Sequence, residues 1–145
     1  MDKTLNLFGL TRKAGSLELG EEASGVVVRA GKAKVLMLAS DASDNARRRA
    51  EGFVMGTNTP FITLPYTKSE ISEATGKRGC SMAAVTDIGL ASSIIKSLAE
   101  TDGEKYGEAA EEIHLRENKA RQRKKEALAH DRNKRMGKKP RNRKA

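Results

Sequence analysis

Two short segments of the chain combine charged residues with glycine. Residues 77–82 read Lys-Arg-Gly-Cys-Ser-Met, and residues 20–22 read Gly-Glu-Glu where a helix is predicted to begin. Lysine and arginine contact phosphates, and the N-terminus of a helix presents unpaired N–H groups and positive potential to anions. A glycine at the helix start permits close approach of a ligand because it has no side chain. Glu21 and Glu22 suit the positive end of the helix dipole, and neither segment contains a catalytic motif.

Catalysis would need partners that the sequence does not provide. Cys80 lies beside Lys77 and Arg78, and positive neighbours activate thiols, but residues 1–99 contain no histidine to act as a base. Asp41 follows an apolar run, as the phosphoacceptor of a receiver-type fold does, but the lysine that such a site needs after its last strand is missing. We therefore predict that the protein is not an enzyme, and we expect no cofactor, no bound metal and no small-molecule substrate.

The basic charge is concentrated towards the C-terminus. The chain has 28 Lys and Arg against 19 Asp and Glu, for a net charge of +9. Residues 116–145 hold 14 of the basic residues and three acids, whereas residues 100–115 hold six acids and one lysine. This distribution predicts a mildly basic domain over residues 1–99, an acidic hinge over residues 100–115 and a basic arm over residues 116–145.

The basic arm has the composition of a segment that contacts phosphates. It contains no aromatic residue on which a base could stack, so we expect it to bind backbone rather than sequence. Its composition is typical of disorder in isolation, but i,i+4 pairs of opposite charge leave open a single charged helix over residues 104–129. The predicted contacts are Arg121, Arg123, Lys124, Lys125, Arg132, Lys134, Arg135, Lys138, Lys139, Arg141, Arg143 and Lys144.

Length and hydropathy limit the class of protein. A chain of 145 residues with 37% hydrophobic content suffices for one compact domain, and no apolar stretch approaches the roughly 20 residues that span a bilayer. The N-terminal sequence lacks the apolar region of a secretory signal. We therefore expect a cytoplasmic protein without a membrane partner.

Predicted helices and strands alternate along the chain. Thr67 and Glu70 form a capping box, and Asp87 is placed to cap the last domain helix. Arg47, Arg48 and Arg49 fall on the outer side of an amphipathic helix, with phosphate contact as the open alternative. Helices are predicted over residues 2–14, 21–30, 44–54, 67–75 and 88–98, and strands over residues 16–19, 35–39, 61–64 and 83–86. This alternation predicts a three-layer α/β/α sandwich with a small mixed sheet.

Several segments in this order resemble the kink-turn-binding ribosomal protein superfamily of the seven-Ae/thirty-e type, and most closely its small bacterial YlxQ-like branch. The resemblance covers roughly residues 4–98 and leaves the basic arm outside. The segments that carry it are LNLFGLTRKAG, LGEE, RAGKAKVLMLASDAS, TPF, KSEISEATGKRG and AAVTDIGLASSI.

The resemblance implies binding to RNA at the sharp bend of a kink-turn. Its members use the first turn of the second helix and the loop before the last strand, which correspond here to residues 20–26 and 77–82. Glu22, Ala23 and Val26 stand where the best-known members have Asn, Glu and Lys. The candidate RNA-binding residues are Gly20, Glu21, Glu22, Lys32, Lys34, Lys77, Arg78, Gly79, Cys80, Ser81 and Met82.

These observations predict a non-catalytic, ribosome-associated RNA-binding protein. Its expected partners are structured RNA, ribosomal RNA above all, and ribosomal proteins. The alternative is a protein-interaction or signalling module whose basic arm supplies nonspecific polyanion binding or localisation. The departures at Glu22, Ala23 and Val26 keep this alternative open.

Overall fold

Ten elements follow one another along the chain, and a computed structural model describes residues 2–135. Nine of them lie close to the predicted bounds, and the tenth is a long helix that contains the start of the basic arm. The elements are α1 (Lys3–Lys13), β1 (Leu17–Leu19), α2 (Glu21–Arg29), β2 (Val35–Leu38), α3 (Asp44–Val54), β3 (Phe61–Thr63), α4 (Lys68–Thr75), β4 (Met82–Val85), α5 (Ile88–Thr101) and α6 (Gly103–Arg135).

The four strands form one mixed sheet in the order β1-β4-β2-β3. Strand β4 pairs antiparallel with both β1 and β2, and β2 pairs parallel with β3. The register places Met82 opposite Leu38 and Val85 opposite Val35. The beginning of β4 therefore lies at the same end of the sheet as the end of β2.

Helices cover both faces of the sheet and enclose two apolar clusters. Side chains from α1, α4, α5 and α6 pack on one face, against Met37 and Val85 among others. Side chains from α2 and α3 pack on the other face, against Leu36 and Leu38. Because successive side chains of a strand point to opposite faces, the all-apolar strand β2 serves both clusters. The predicted three-layer sandwich is confirmed.

Local capping signals set where several helices begin. The side chain of Ser43 accepts a hydrogen bond from the backbone N–H of Ala46, and the side chain of Asp87 accepts one from Leu90. Thr67 and Glu70 form the predicted capping box. Each bond satisfies a first-turn N–H that has no partner inside its own helix, which is why these starts could be read from the sequence.

Residues 100–115 do not form the separate acidic hinge that the charge pattern predicts. Helix α5 continues through residue 99 to Thr101, and α6 begins at Gly103 after a single intervening residue. Tyr106 and Ile113 are 2% and 0% exposed and belong to the core. They lie seven residues apart on one face of α6, so the acidic residues around them occupy the outer faces of a packed helix.

Candidate nucleic-acid interface

The start of α2 meets the beginning of β4 at one end of the sheet. The backbone N–H of Gly20 donates a hydrogen bond to the carbonyl of Met82 at 2.8 Å. Gly20 has a φ of 103°, a conformation that residues with side chains rarely adopt. A Cβ built at this position would lie 4.0 Å from Sγ of Cys80. The two segments singled out in the sequence are therefore neighbours, and the geometry of their junction requires glycine.

The N-terminus of α2 has no side-chain cap. Side-chain oxygens cap α1, α3, α4 and α5, whereas Gly20 offers none. The first-turn N–H groups of α2 thus lack the acceptor that these four helices carry. Such groups present hydrogen-bond donors and the positive end of the helix dipole to an anion.

The loop of residues 76–81 adds positive charge beside this helix start. Nζ of Lys77 donates to the carbonyl of Leu19 at 3.4 Å, which holds the ammonium group next to Gly20. Arg78 and Gly79 are exposed and line an open groove of about 710 Å³ between the loop and α4. The loop therefore brings the ammonium group of Lys77 to the beginning of α2, and the open groove lies on its α4 side.

The two acids at the start of α2 are not equivalent. Oε2 of Glu21 lies 3.3 Å from Nε of Arg49 in α3, while Glu22 is exposed and takes part in none of the ion pairs among residues 2–135. Arg49 offsets the charge of Glu21 and so reduces its repulsion of phosphates. Sequence reasoning missed this contact because the two residues are far apart in the chain and no local pattern links them.

Two residues predicted to contact a ligand are buried. Cys80 and Met82 are 5% and 1% exposed and pack in opposite apolar clusters. Met82 is the first residue of β4, which runs over Met82–Val85 rather than residues 83–86. Ser81 is half-buried, and its carbonyl accepts from the N–H of Ala39 at 2.7 Å. The side chains of Cys80 and Met82 therefore support the loop from inside instead of forming an apolar contact surface.

Lys32 and Lys34 lie away from this interface. The backbone N–H of Lys34 donates to the carbonyl of Val85 at 2.7 Å, at the end of β4. Gly20 bonds to Met82 at the beginning of the same strand. The predicted set of site residues is therefore divided between opposite ends of the sheet, because β2 carries the chain from one end to the other.

The geometry of this domain is shared with known proteins. Over 75 residues the chain is 35% identical to the RNA-binding protein YlxQ of Enterococcus faecium, and the match spans 52% of this chain and 72% of that protein. The chain belongs to the YlxQ-like family. The predicted resemblance is confirmed, although no protein-family model matches the chain.

Two solved structures share the fold of this YlxQ-like protein. One is a protein with unknown function from Bacillus halodurans, with a TM-score of 0.62, 24% identity, and coverage of 67% of this chain and 97% of that one. The other is the Giardia lamblia 15.5 kD RNA binding protein, with a TM-score of 0.54, 16% identity, and coverage of 68% and 84%. At these identities the comparisons establish the fold alone.

The basic arm of this YlxQ-like protein begins within α6. Its first turns contact α5, where the carboxylate of Glu117 accepts from Oγ of Ser92 at 2.9 Å and lies 3.7 Å from Nζ of Lys96. Residues 121–134 of α6 are all exposed. Arg121 pairs with Glu117 at 3.5 Å. Of the predicted contacts, Lys138, Lys139, Arg141, Arg143 and Lys144 lie outside the described residues.

Residues 2–135 offer no site for a metal ion and no membrane-spanning helix. No group of three or more His, Cys, Asp or Glu side chains in this range is placed to hold a metal ion. No helix in the same range combines the length and apolarity needed to cross a bilayer. The longest helix, α6, is strongly charged.

Proposed function

We propose that this YlxQ-like protein binds structured RNA, with the start of α2 and the loop of residues 76–81 docked at a kink-turn-like bend. The observation that carries the proposal is the hydrogen bond from Gly20 to Met82, which joins the uncapped helix start to the cationic loop. The name of the Enterococcus faecium relative, an RNA-binding protein, supports the same ligand.

Each part of the interface has a distinct chemical task in this proposal. The first-turn N–H groups of α2 donate to phosphate oxygens or to acceptors on base edges. The carboxylate of Glu22 accepts from exocyclic amino groups, such as those of guanine in an opened minor groove. Lys77 and Arg78 neutralise phosphates on either side of the bend. Glu21 remains paired with Arg49.

The proposed setting is the ribosome in the cytoplasm, with ribosomal RNA as the ligand and ribosomal proteins as neighbours. The exposed part of the basic arm adds phosphate contacts that do not depend on sequence. The proposal assigns no catalytic step to the protein, since its task is to hold folded RNA.

The proposal is tested with the full-length chain, a kink-turn RNA and a straight RNA duplex of equal length. The parent protein is expected to prefer the bent RNA. The double variant Lys77→Ala with Arg78→Ala should lose about tenfold or more in affinity for the bent RNA and much of this preference, since hydrogen bonds to charged groups contribute about 1.5–3 kcal/mol each. Fluorescence anisotropy at several salt concentrations measures both quantities.

A matched control removes the same charge elsewhere. Lys3→Ala with Lys13→Ala changes two exposed residues of α1 and should leave the preference for bent RNA intact. Equal binding of both RNAs by the parent protein would contradict kink-turn docking. In that case the surface of α2 around Glu22 and Val26 would favour the protein-interaction alternative, because the apolar side chain of Val26 is 54% exposed.

A further inference from the structure

A second cationic site lies at the opposite end of the sheet from the 76–81 loop. It is a cleft of about 640 Å³ between α6, the turn that precedes β2 and the loop between α3 and β3. Lys34 lines it from the turn, Asn58 from the loop, and Arg116, Lys119 and Arg123 from α6. The three α6 residues are spaced i, i+3 and i+7, which places them on one side of the helix.

The charge of this cleft is largely uncompensated. No acidic residue lines it. Arg116 is held by the carboxylate of Glu112 at 2.7 Å and by a hydrogen bond to the carbonyl of Asn58. None of the ion pairs among residues 2–135 involves Lys34, Lys119 or Arg123. Three cations therefore converge on a space that the fold leaves unfilled.

The length of the basic row points to a chain of phosphates rather than to a single one. Arg116 and Arg123 are about 10 Å apart along the helix axis, at 1.5 Å per residue, which is longer than one phosphate group can bridge. The same helix continues into the exposed basic arm. The cleft is lined by no aromatic side chain, so its chemistry suits sugar-phosphate backbone and not stacked bases.

We propose that this cleft, together with the adjoining face of α6, is a second RNA-contact surface that holds a phosphate-backbone segment. The inference rests on the proposed function in so far as RNA is the ligand. It adds that RNA contacts both ends of the sheet. The packing of Tyr106 and Ile113 in the core fixes the first half of α6, so the beginning of the arm is a positioned contact and not a loose tether.

The test compares two triple variants of the full-length protein that lose the same charge. The cleft variant carries Lys34→Gln, Lys119→Gln and Arg123→Gln. The control carries Lys3→Gln and Lys13→Gln in α1 with Lys105→Gln near the start of α6, three exposed lysines that do not line the cleft and do not belong to the basic arm. Both are titrated with a straight RNA duplex and a kink-turn RNA from about 50 to 200 mM salt.

The cleft variant should bind both RNAs about tenfold more weakly than the control at the lowest salt. The slope of log K against log salt should fall by about 2–3, since each lost phosphate contact removes about 0.9 from the slope. The control slope should fall by less than about 1. Equal slopes and affinities for the two variants would overturn the proposal.

Two further measurements keep the outcomes separable. The pair Lys119→Gln with Arg123→Gln changes only exposed side chains, and it should reproduce most of the slope change if Lys34→Gln disturbs folding. The ratio of bent to straight RNA affinity should be unchanged in the cleft variant, because it depends on Lys77 and Arg78. If the ratio of bent to straight RNA affinity were unchanged in the Lys77 and Arg78 double variant, the proposed function would be refuted. The cleft proposal would still be judged by the slope of log K against log salt.

Discussion

At the scale of single residues, the backbone conformation of Gly20 sets the position of the start of α2 in the candidate interface. Its φ of 103° is strained for residues with a side chain. We expect Gly20→Ala to lower the free energy of unfolding by about 1–2 kcal/mol and to weaken binding to bent RNA by displacing the start of α2. Urea denaturation and RNA titration measure the two effects.

A second glycine supplies the control for this prediction. Gly52 lies inside α3, and a Cβ added there meets nothing within 4 Å. Gly52→Ala should therefore stabilise the protein by about 0.5–1 kcal/mol, because alanine favours the helix, and should leave RNA binding unchanged. If Gly20→Ala also stabilised the protein and left RNA binding unchanged, the positive φ of Gly20 would not be needed for the interface.

Tyr66 links the start of α1 to the core and predicts a dependence on pH. Burial raises the pKa of Tyr66 from 10.0 to about 12, and its hydroxyl donates to Oδ2 of Asp2 at 2.8 Å. Between about pH 10 and pH 12 the folded state therefore retains a proton on Tyr66 that the unfolded chain loses. The contribution of this tyrosine to the stability of the fold is complete below about pH 10 and declines towards pH 12.

The variant Tyr66→Phe isolates this contribution. It should be less stable than the parent by about 1–2 kcal/mol at neutral pH, because it lacks the hydrogen bond to Asp2. The gap between the two proteins should narrow from pH 10 to pH 12, since the phenyl ring cannot ionise. Urea unfolding at matched pH values measures the gap, and a constant gap would contradict the assigned pKa.

At the scale of elements, α6 belongs to the body of the protein over its first half. Tyr106 donates from its hydroxyl to the carbonyl of Thr63 at 2.5 Å, and Ile113 is fully buried. Further along α6, the carboxylate of Glu117 accepts a hydrogen bond from Ser92 and forms an ion pair with Lys96, both in α5. The acidic composition of this region therefore reflects the outer faces of a packed helix, not a hinge.

The variant Ile113→Ala measures how much this packing stabilises the fold. Removing a fully buried isoleucine side chain should lower the free energy of unfolding by about 2–5 kcal/mol. Leu115 lies two residues away and is 62% exposed. The variant Leu115→Ala should therefore change the free energy of unfolding by no more than about 0.5 kcal/mol. Similar losses in both variants would show that α6 does not pack as described. Chemical denaturation followed by circular dichroism provides the measurement.

At the scale of the whole molecule, the residues that attract a polyanion lie in a different part of the chain from those proposed to select bent RNA. Residues 121–145 contain 12 Lys and Arg and two acids, so the rest of the chain holds 16 basic and 17 acidic residues and is nearly neutral. Long-range attraction to a polyanion therefore comes mainly from this segment. The proposed preference for bent RNA depends instead on the start of α2 and the 76–81 loop.

Truncation after residue 120 tests this division. The shortened protein keeps Tyr106, Ile113 and Glu117, so its melting temperature should stay close to that of the parent. Its affinity for every RNA should fall at low salt, and its salt dependence should become shallower. The ratio of bent to straight RNA affinity should change much less. A parent-like salt slope would show that residues 121–145 make no phosphate contacts.

The sequence predicted most of the fold because its signals are local. The capping box at Thr67 and the cap at Asp87 involve residues three positions apart, and the apolar run of β2 is continuous. The start of β4 was misplaced by one residue because Met82 follows a loop of small and basic residues. That one residue changes Met82 from a surface contact into part of the core.

The alternation of helices and strands, the capped helix starts, the glycine at the start of α2 and the concentration of basic residues near the C-terminus could all be read from the amino-acid sequence. These properties depend on residues near one another in the chain. Three further facts became visible in the folded chain alone: Arg49 pairs with Glu21, Cys80 is buried, and Lys34 shares a cleft with α6. Such contacts join distant segments, and they follow from the strand order β1-β4-β2-β3 and from which sheet face each helix covers.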